Sequence, residues 1–203
     1  MCGITGFASV NDLHNSRSLD QIIGSMVAQL AHRGPDDSGV WIDASAGIAL
    51  GHRRLAVIDT TADGHQPMCS GSGSHVLIYN GELYNYRLLR AELERSSIIF
   101  RSSSDSEVVV EAIEAWGIES ALTRFNGMFA FAVWDRVTRT LCLACDRLGE
   151  KPVYYGLLNG RTFIFGSELK SLVVHPDFRK DLDFHAFALY LQYGYVPAPH
   201  CIY

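Results

Sequence analysis

Phe129-Ala-Phe-Ala-Val-Trp134 is apolar at every position, and no other run constrains the fold as strongly. Successive side chains of a strand point to opposite faces, so a face open to water would carry polar residues at alternate positions. None are there, so this strand is covered on both sides. It lies in one of eight strands that read over 3–9, 39–43, 47–58, 75–80, 127–135, 139–146, 153–158 and 161–166. Asn159-Gly160 between the last two is a hairpin signal, because both residues accept positive φ, and a short turn joins 127–135 to 139–146. Ser18-Leu-Asp-Gln21 and Ser104-Asp-Ser-Glu107 read as capping boxes opening helices. The second helix is stopped by Gly117; shorter helices read over 86–95 and after Asp183. Hairpins imply antiparallel sheets, and the helices must cover their outer faces, which gives an α+β layering with sheets inside.

Composition limits the function. The chain has 203 residues, enough for one large domain or two small ones, and a net charge of −5. No Lys/Arg run offsets that charge, so nucleic acid is not an expected partner. No stretch approaches the roughly 18 apolar residues of a membrane span. The start, Met1-Cys-Gly-Ile-Thr-Gly6, lacks a secretory pattern, and five cysteines, an odd number, fit reduced thiols. A soluble cytoplasmic protein is expected. Cys142 and Cys145 form a C-x-x-C inside a strand-like run, where positions three apart face opposite ways; they read as buried apolar thiols, and no metal-ligand cluster is visible. Gly71-Ser-Gly-Ser74 lacks the spacing and the Lys of a phosphate loop. His52 and His65 read as structural. Residues 1–193 read as one domain, and the Pro-rich 194–203 as the start of a linker to an absent one.

Chemistry centres on Cys2. Loss of Met1, common when the second residue is small, would leave a thiol and a free α-amine on one residue. That amine ordinarily titrates at about 7.7–8.0, so a usable fraction is free base near neutral pH. Nucleophile and general base then need no histidine. Read locally, Asn80-Gly81 is a turn signal, Arg54 a surface arginine and Asp105 a first-turn helix acid.

Nine blocks together carry a family resemblance: Met1-Cys-Gly-Ile-Thr-Gly6, His32-Arg-Gly-Pro-Asp-Asp37, Gly51-His-Arg-Arg-Leu-Ala-Val-Ile-Asp59, Gln66-Pro67, Tyr79-Asn-Gly-Glu-Leu-Tyr-Asn85, Ser104-Asp-Ser-Glu-Val108, Phe125-Asn-Gly-Met-Phe-Ala-Phe131, Asp146-Arg-Leu-Gly149 with Lys151-Pro152, and Gly166-Ser-Glu-Leu-Lys170. In that order they resemble the class II (N-terminal-nucleophile) glutamine amidotransferases, most closely the asparagine synthetase type. The resemblance implies a four-layer αββα sandwich with two mainly antiparallel sheets between helices. It implies hydrolysis of L-glutamine to glutamate and ammonia through a γ-glutamyl thioester on Cys2. Asn80 (side chain) and Gly81 (backbone N–H) match the oxyanion hole. Arg54 matches the residue that binds the substrate α-carboxylate, and Asp105 the one that pairs with its α-ammonium. Val57 and Glu82 fall in segments that line the pocket.

By the same resemblance the ammonia would pass to a C-terminal synthetase domain that amidates aspartate or a related carboxylate. ATP and Mg²⁺ belong to that absent domain, whose Ser-Gly-Gly-x-Asp-Ser loop does not occur here; no cofactor is expected in this chain. Members of the class often pair as homodimers. The alternatives are another class II amidotransferase and a silent regulatory module. A Cys-His-Glu amidotransferase is disfavoured because no internal cysteine sits in a G-x-C-x-G setting.

Overall fold

The computed structural model describes residues 1–9 and 16–203. Strands β1 (Gly3–Ser9), β2 (Asp37–Asp43), β3 (Ile48–Arg54), β8 (Tyr154–Leu158) and β9 (Thr162–Gly166) form one sheet in the order β2-β3-β1-β9-β8. Strands β4 (Met68–Cys69), β5 (His75–Leu83), β6 (Gly127–Asp135) and β7 (Thr140–Cys145) form a second in the order β4-β5-β6-β7. Every neighbouring pair is antiparallel. Helices are α1 (Ser16–Ala28), α2 (Tyr86–Arg95), α3 (Asp105–Trp116), α4 (Ile118–Arg124), α5 (Leu169–Val173) and α6 (Phe184–Tyr193).

The all-apolar strand explains the layers. Phe129, Phe131 and Val133 pack under α2, α3 and α4 with Leu93, Val109 and Ala121. On the other side of β6, Ala130, Ala132 and Trp134 meet Ile4, Ile48, Leu50 and Phe165 of the first sheet. The outer face of that first sheet, with Phe7, Ala49 and Ile164, is covered by Leu19, Ile23 and Met26 of α1 and Leu172 of α5. The result is the four-layer αββα sandwich, with a hydrophobic seam between each pair of layers.

Local signals hold where the chain is locally decided. Asn159 and Gly160 take φ of 50° and 69° at the β8–β9 turn, as a tight hairpin requires. Ser104 Oγ accepts from Glu107 N at the start of α3, and Asp183 caps α6 through His185 N and Ala186 N. Residues beyond α6 fold back, with Asp183 N donating to Ile202 O and Tyr203 edge-on to Phe178.

Four expectations need correction. Helix α1 begins at Ser16, so Ser18 lies inside it rather than capping it; the residues just before α1 are outside those described. The strand expected over 47–58 ends at Arg54, because the chain there turns away to bond with the Cys2 thiol and to wrap the Arg54 guanidinium. The strand expected over 75–80 runs on to Leu83, paired throughout with β6. Cys142 and Cys145 do take opposite faces of β7, yet they are not both buried: Cys142 is half-buried against the helix layer, and Cys145 is exposed near the strand's end. Short elements without a strong sequence pattern, β4, α4 and α5, were not expected.

Candidate active site

The face parity of three strands brings the candidate residues together. Along β1, Ile4 faces the second sheet, so Cys2, two residues earlier, belongs to the same face. Ile48 and Leu50 set that face on β3, and Arg54 continues it. Val76 and Ile78 set it on β5, and Asn80 and Glu82 continue it. At this end of the gap between the sheets the apolar pattern becomes polar, and a cavity of about 180 Å³ opens, room for roughly six waters or one small amino acid. Cys2, Arg54, Val57, Asn80, Gly81, Glu82 and Asp105 all line it. Every site residue expected from the sequence is therefore at one place.

Cys2 sits with its sulfur 3.4 Å from Leu55 N, which donates to it, and 3.6 Å from Leu55 O. Its carbonyl accepts from Arg33 Nε at 2.9 Å, and Arg33 is in turn held by Glu168 at 2.9 Å. Burial pushes the thiol pKa up, against the opposing pull of the Leu55 N–H, the chain's N-terminal charge and Arg54. The sulfur accordingly rests as S–H at neutral pH and needs a base when it attacks.

Asn80 and Gly81 are strand residues, which removes the local turn reading. Asn80 Nδ2 is buried without a hydrogen-bond partner. Such a group costs free energy unless something is bound to it. Gly81 offers a second donor. Its β6 partner Phe129 turns its own N–H and C=O to Asp146, at 3.1 and 2.8 Å. Opposite residues of a non-hydrogen-bonded antiparallel pair both point outward, so the Gly81 N–H faces the free edge of β5. On that edge Tyr79 N is taken by Gln66 Oε1 at 2.6 Å and Leu83 N by Asp105 Oδ2 at 2.9 Å. Between them Gly81 faces the cavity. A Cβ here would stand 2.5 Å from Met128 O and 2.6 Å from Phe129 Cβ, which is why the position is glycine.

Arg54 is buried and threaded through the loop that follows β3. Its Nη1 donates to Thr61 O at 2.7 Å and its Nη2 to Asp59 O. Gly64 lets the loop close on it, since a Cβ there would meet the guanidinium. Two of five donors are bonded within the chain, leaving others for a planar anion. Asp105 opens α3. Its Oδ2 accepts from Leu83 N and from the Tyr79 hydroxyl at 3.2 Å. Burial raises its pKa, while those bonds and the helix-start N–H groups pull it back. Val57, on the loop, is exposed, and Glu82 is exposed at the mouth.

His52 is fully buried on β3, with Nε2 3.1 Å from Tyr79 O across the two sheets. Burial lowers its pKa to about 4, so it is neutral and acts as a strut rather than a base. His65 is exposed and paired with Asp37 at 2.7 Å.

Residues without an assigned role in the sequence also build the site. Gln66 bridges Tyr79 N and Ser106 Oγ, at 2.6 and 3.0 Å. Asp59 accepts from the N–H and hydroxyl of Thr61 and of Ser103, which holds its carboxyl well below the usual range and ties the Arg54 loop to the start of α3. Lys151, only 8% exposed, reaches the cavity from the loop before β8. Their signal was position: each is a polar residue inside one of the nine motif blocks.

A family model described as a glutamine amidotransferase domain matches residues 1–203. The chain is 42% identical over 187 residues to asparagine synthetase (glutamine-hydrolyzing) 3 of Bacillus subtilis, covering 90% of this chain and 29% of the relative. It is 36% identical over 199 residues to asparagine synthetase (glutamine-hydrolyzing) 1 of the same organism, covering 98% and 30%. The chain thus spans less than a third of these relatives' length. Among solved structures, glutamine phosphoribosylpyrophosphate amidotransferase of B. subtilis, complexed with ADP and GMP, superposes with a TM-score of 0.70 at 24% identity, over 85% of this chain and 43% of that one. That likeness concerns the fold.

Proposed function

Because the chain belongs to the glutamine amidotransferase domain family, we propose that its cavity hydrolyses L-glutamine with Cys2 as nucleophile. The observation that carries this reading is the single cavity into which β1, β3, β5 and α3 bring a thiol, a guanidinium with spare donors, two free N–H donors and a buried carboxylate. Once Met1 is removed, the Cys2 α-amine takes the thiol proton as sulfur attacks the side-chain amide carbon. The amide oxygen becomes an oxyanion held by Asn80 Nδ2 and the Gly81 N–H. The protonated amine returns its proton to the leaving nitrogen, the C–N bond breaks, and ammonia departs from a γ-glutamyl thioester. Water then attacks that thioester, releasing glutamate and restoring the thiol. Arg54 binds the α-carboxylate and Asp105 the α-ammonium, with Val57 and Glu82 lining the entrance.

The relatives' names and lengths support a further step. Residues 194–203 lead to a synthetase domain that uses ATP and Mg²⁺ to amidate aspartate or a related carboxylate with this ammonia. The setting is cytoplasmic and the working unit a homodimer. No helix among the described residues is long and apolar enough to cross a membrane.

The test is glutamate release by untagged protein, with intact mass before and after 6-diazo-5-oxo-norleucine, a glutamine analogue. Its diazo carbon takes the thiol proton, sulfur bonds to that carbon and dinitrogen leaves. A chain lacking Met1, one adduct on Cys2, and loss of turnover in a folded Cys2→Ala variant are expected. Turnover retained by Cys2→Ala refutes the proposal.

A further inference from the structure

The chemistry above leaves Lys151 without a task, although the fold places it with care. The Asp146 carboxylate gathers the loop that carries it, accepting from the N–H groups of Phe129, Leu148, Glu150 and Lys151 itself. The ammonium is thereby drawn into the cavity, where its hydrogen-bond partner is Met1 Sδ at 3.4 Å. A thioether is a weak acceptor, and no carboxylate pairs with this Lys among the described residues. A buried charge is ordinarily paired.

The neighbours show what the charge acts on. The groups around the chain start are Arg33 after α1, Arg54 on β3, Asp59 on the loop that follows, Tyr79 and Glu82 on β5, Asp105 on α3, Lys151 and the Cys2 thiol. Arg33 also reaches Met1 Sδ, at 4.0 Å, but its charge is matched by Glu168. Arg54 is tied to loop carbonyls, and Asp105 is bonded to Leu83 N–H and the Tyr79 hydroxyl. Lys151 and Arg54 are thus without a carboxylate partner among the described residues, and of the two it is Lys151 whose head group lies against the N-terminal residue.

We propose that Lys151 is a positioning residue that keeps the Cys2 α-amine in its neutral, basic form at neutral pH, by like-charge repulsion across the cavity that both residues line. A neighbouring cation disfavours a second one, and buried or partly buried pairs are screened less than exposed ones. The inference rests on the glutaminase reading, which requires that amine as base.

The test labels cysteine with ¹⁵N and follows the Cys2 amine resonance against pH in the full chain. Replacing Lys151 by Met should raise the titration midpoint by about one pH unit, and Lys151→Arg should leave it in place. Modification of Cys2 by 6-diazo-5-oxo-norleucine should then be about tenfold slower in Lys151→Met at pH 6.5 and equal above pH 9. If Lys151→Met does not fold, Lys151→Gln serves with the same expectation. A midpoint unmoved by loss of the charge overturns the inference, even where the rate falls uniformly at every pH. Unmodified wild-type Cys2 overturns the glutaminase reading while the midpoint stays readable. A chain that retains Met1 overturns both.

Discussion

At the scale of single residues, the site is defined by polar atoms deprived of partners. Asn80 Nδ2 is buried and unbonded, a cost that the proposed oxyanion would offset. Substituting Asn80→Ala should lower kcat for glutamine hydrolysis by about 10²–10³, the usual effect of losing one oxyanion donor, with KM little changed. Steady-state kinetics with glutamine check this. A KM effect alone would place Asn80 in ground-state binding instead. The adjoining donor, Gly81, has no comparable side-chain test, since any larger residue there collides with β6.

At the scale of elements, the start of α3 does more than begin a helix. Ser104 caps it as the sequence pattern implies, but the reciprocal half of the box is absent. The Glu107 carboxylate turns instead to Arg101 N at 2.9 Å, Ser102 N at 2.7 Å and Ser102 Oγ at 2.6 Å. Burial alone would raise its pKa; the bonds from Ser102 and Arg101 outweigh that and lower it. Glu107→Ala would strand two backbone donors. A loss of about 3 kcal/mol in urea unfolding is expected, against about 1 kcal/mol for Ser104→Ala. Because Asp105 lies in the same turn, KM for glutamine should rise in Glu107→Ala as well.

At the scale of the whole molecule, His52 links the two sheets, and its burial couples stability to pH. The unfolded chain takes up a proton at this side chain near 6.5, whereas the folded chain resists until about 4. The unfolded state therefore binds more protons in that window, and stability falls as pH drops from 6.5 toward 4. About 2 kcal/mol should be lost from this group by pH 5. His175, whose pKa burial also lowers, adds a loss of the same sign. Chemical denaturation at pH 7.5 and 5 measures the slope, and His52→Gln, which keeps a donor for Tyr79 O, should flatten it. An unchanged slope in that variant would remove His52 as the cause.

How much was legible follows from the range of the forces involved. The all-apolar β6, the Asn159-Gly160 hairpin and the Ser104 cap rest on side-chain alternation, φ preference and one short hydrogen bond, all of which act within a few residues. They could be read without a fold. The motif blocks likewise named Cys2, Arg54, Asn80, Gly81 and Asp105 as site residues. Asn80-Gly81, however, has the local chemistry of a turn, and only pairing with a strand some fifty residues later makes it the free edge of β5. The end of β3 at Arg54, where the chain turns to the Cys2 thiol, and the unmatched charge of Lys151 were decided in the same way, by partners distant in sequence. Sequence determined which elements form and which chemical groups they carry. Tertiary structure alone decided which polar atoms are left without partners, because burial and hydrogen-bond supply are set by the packed layers rather than by neighbours along the chain.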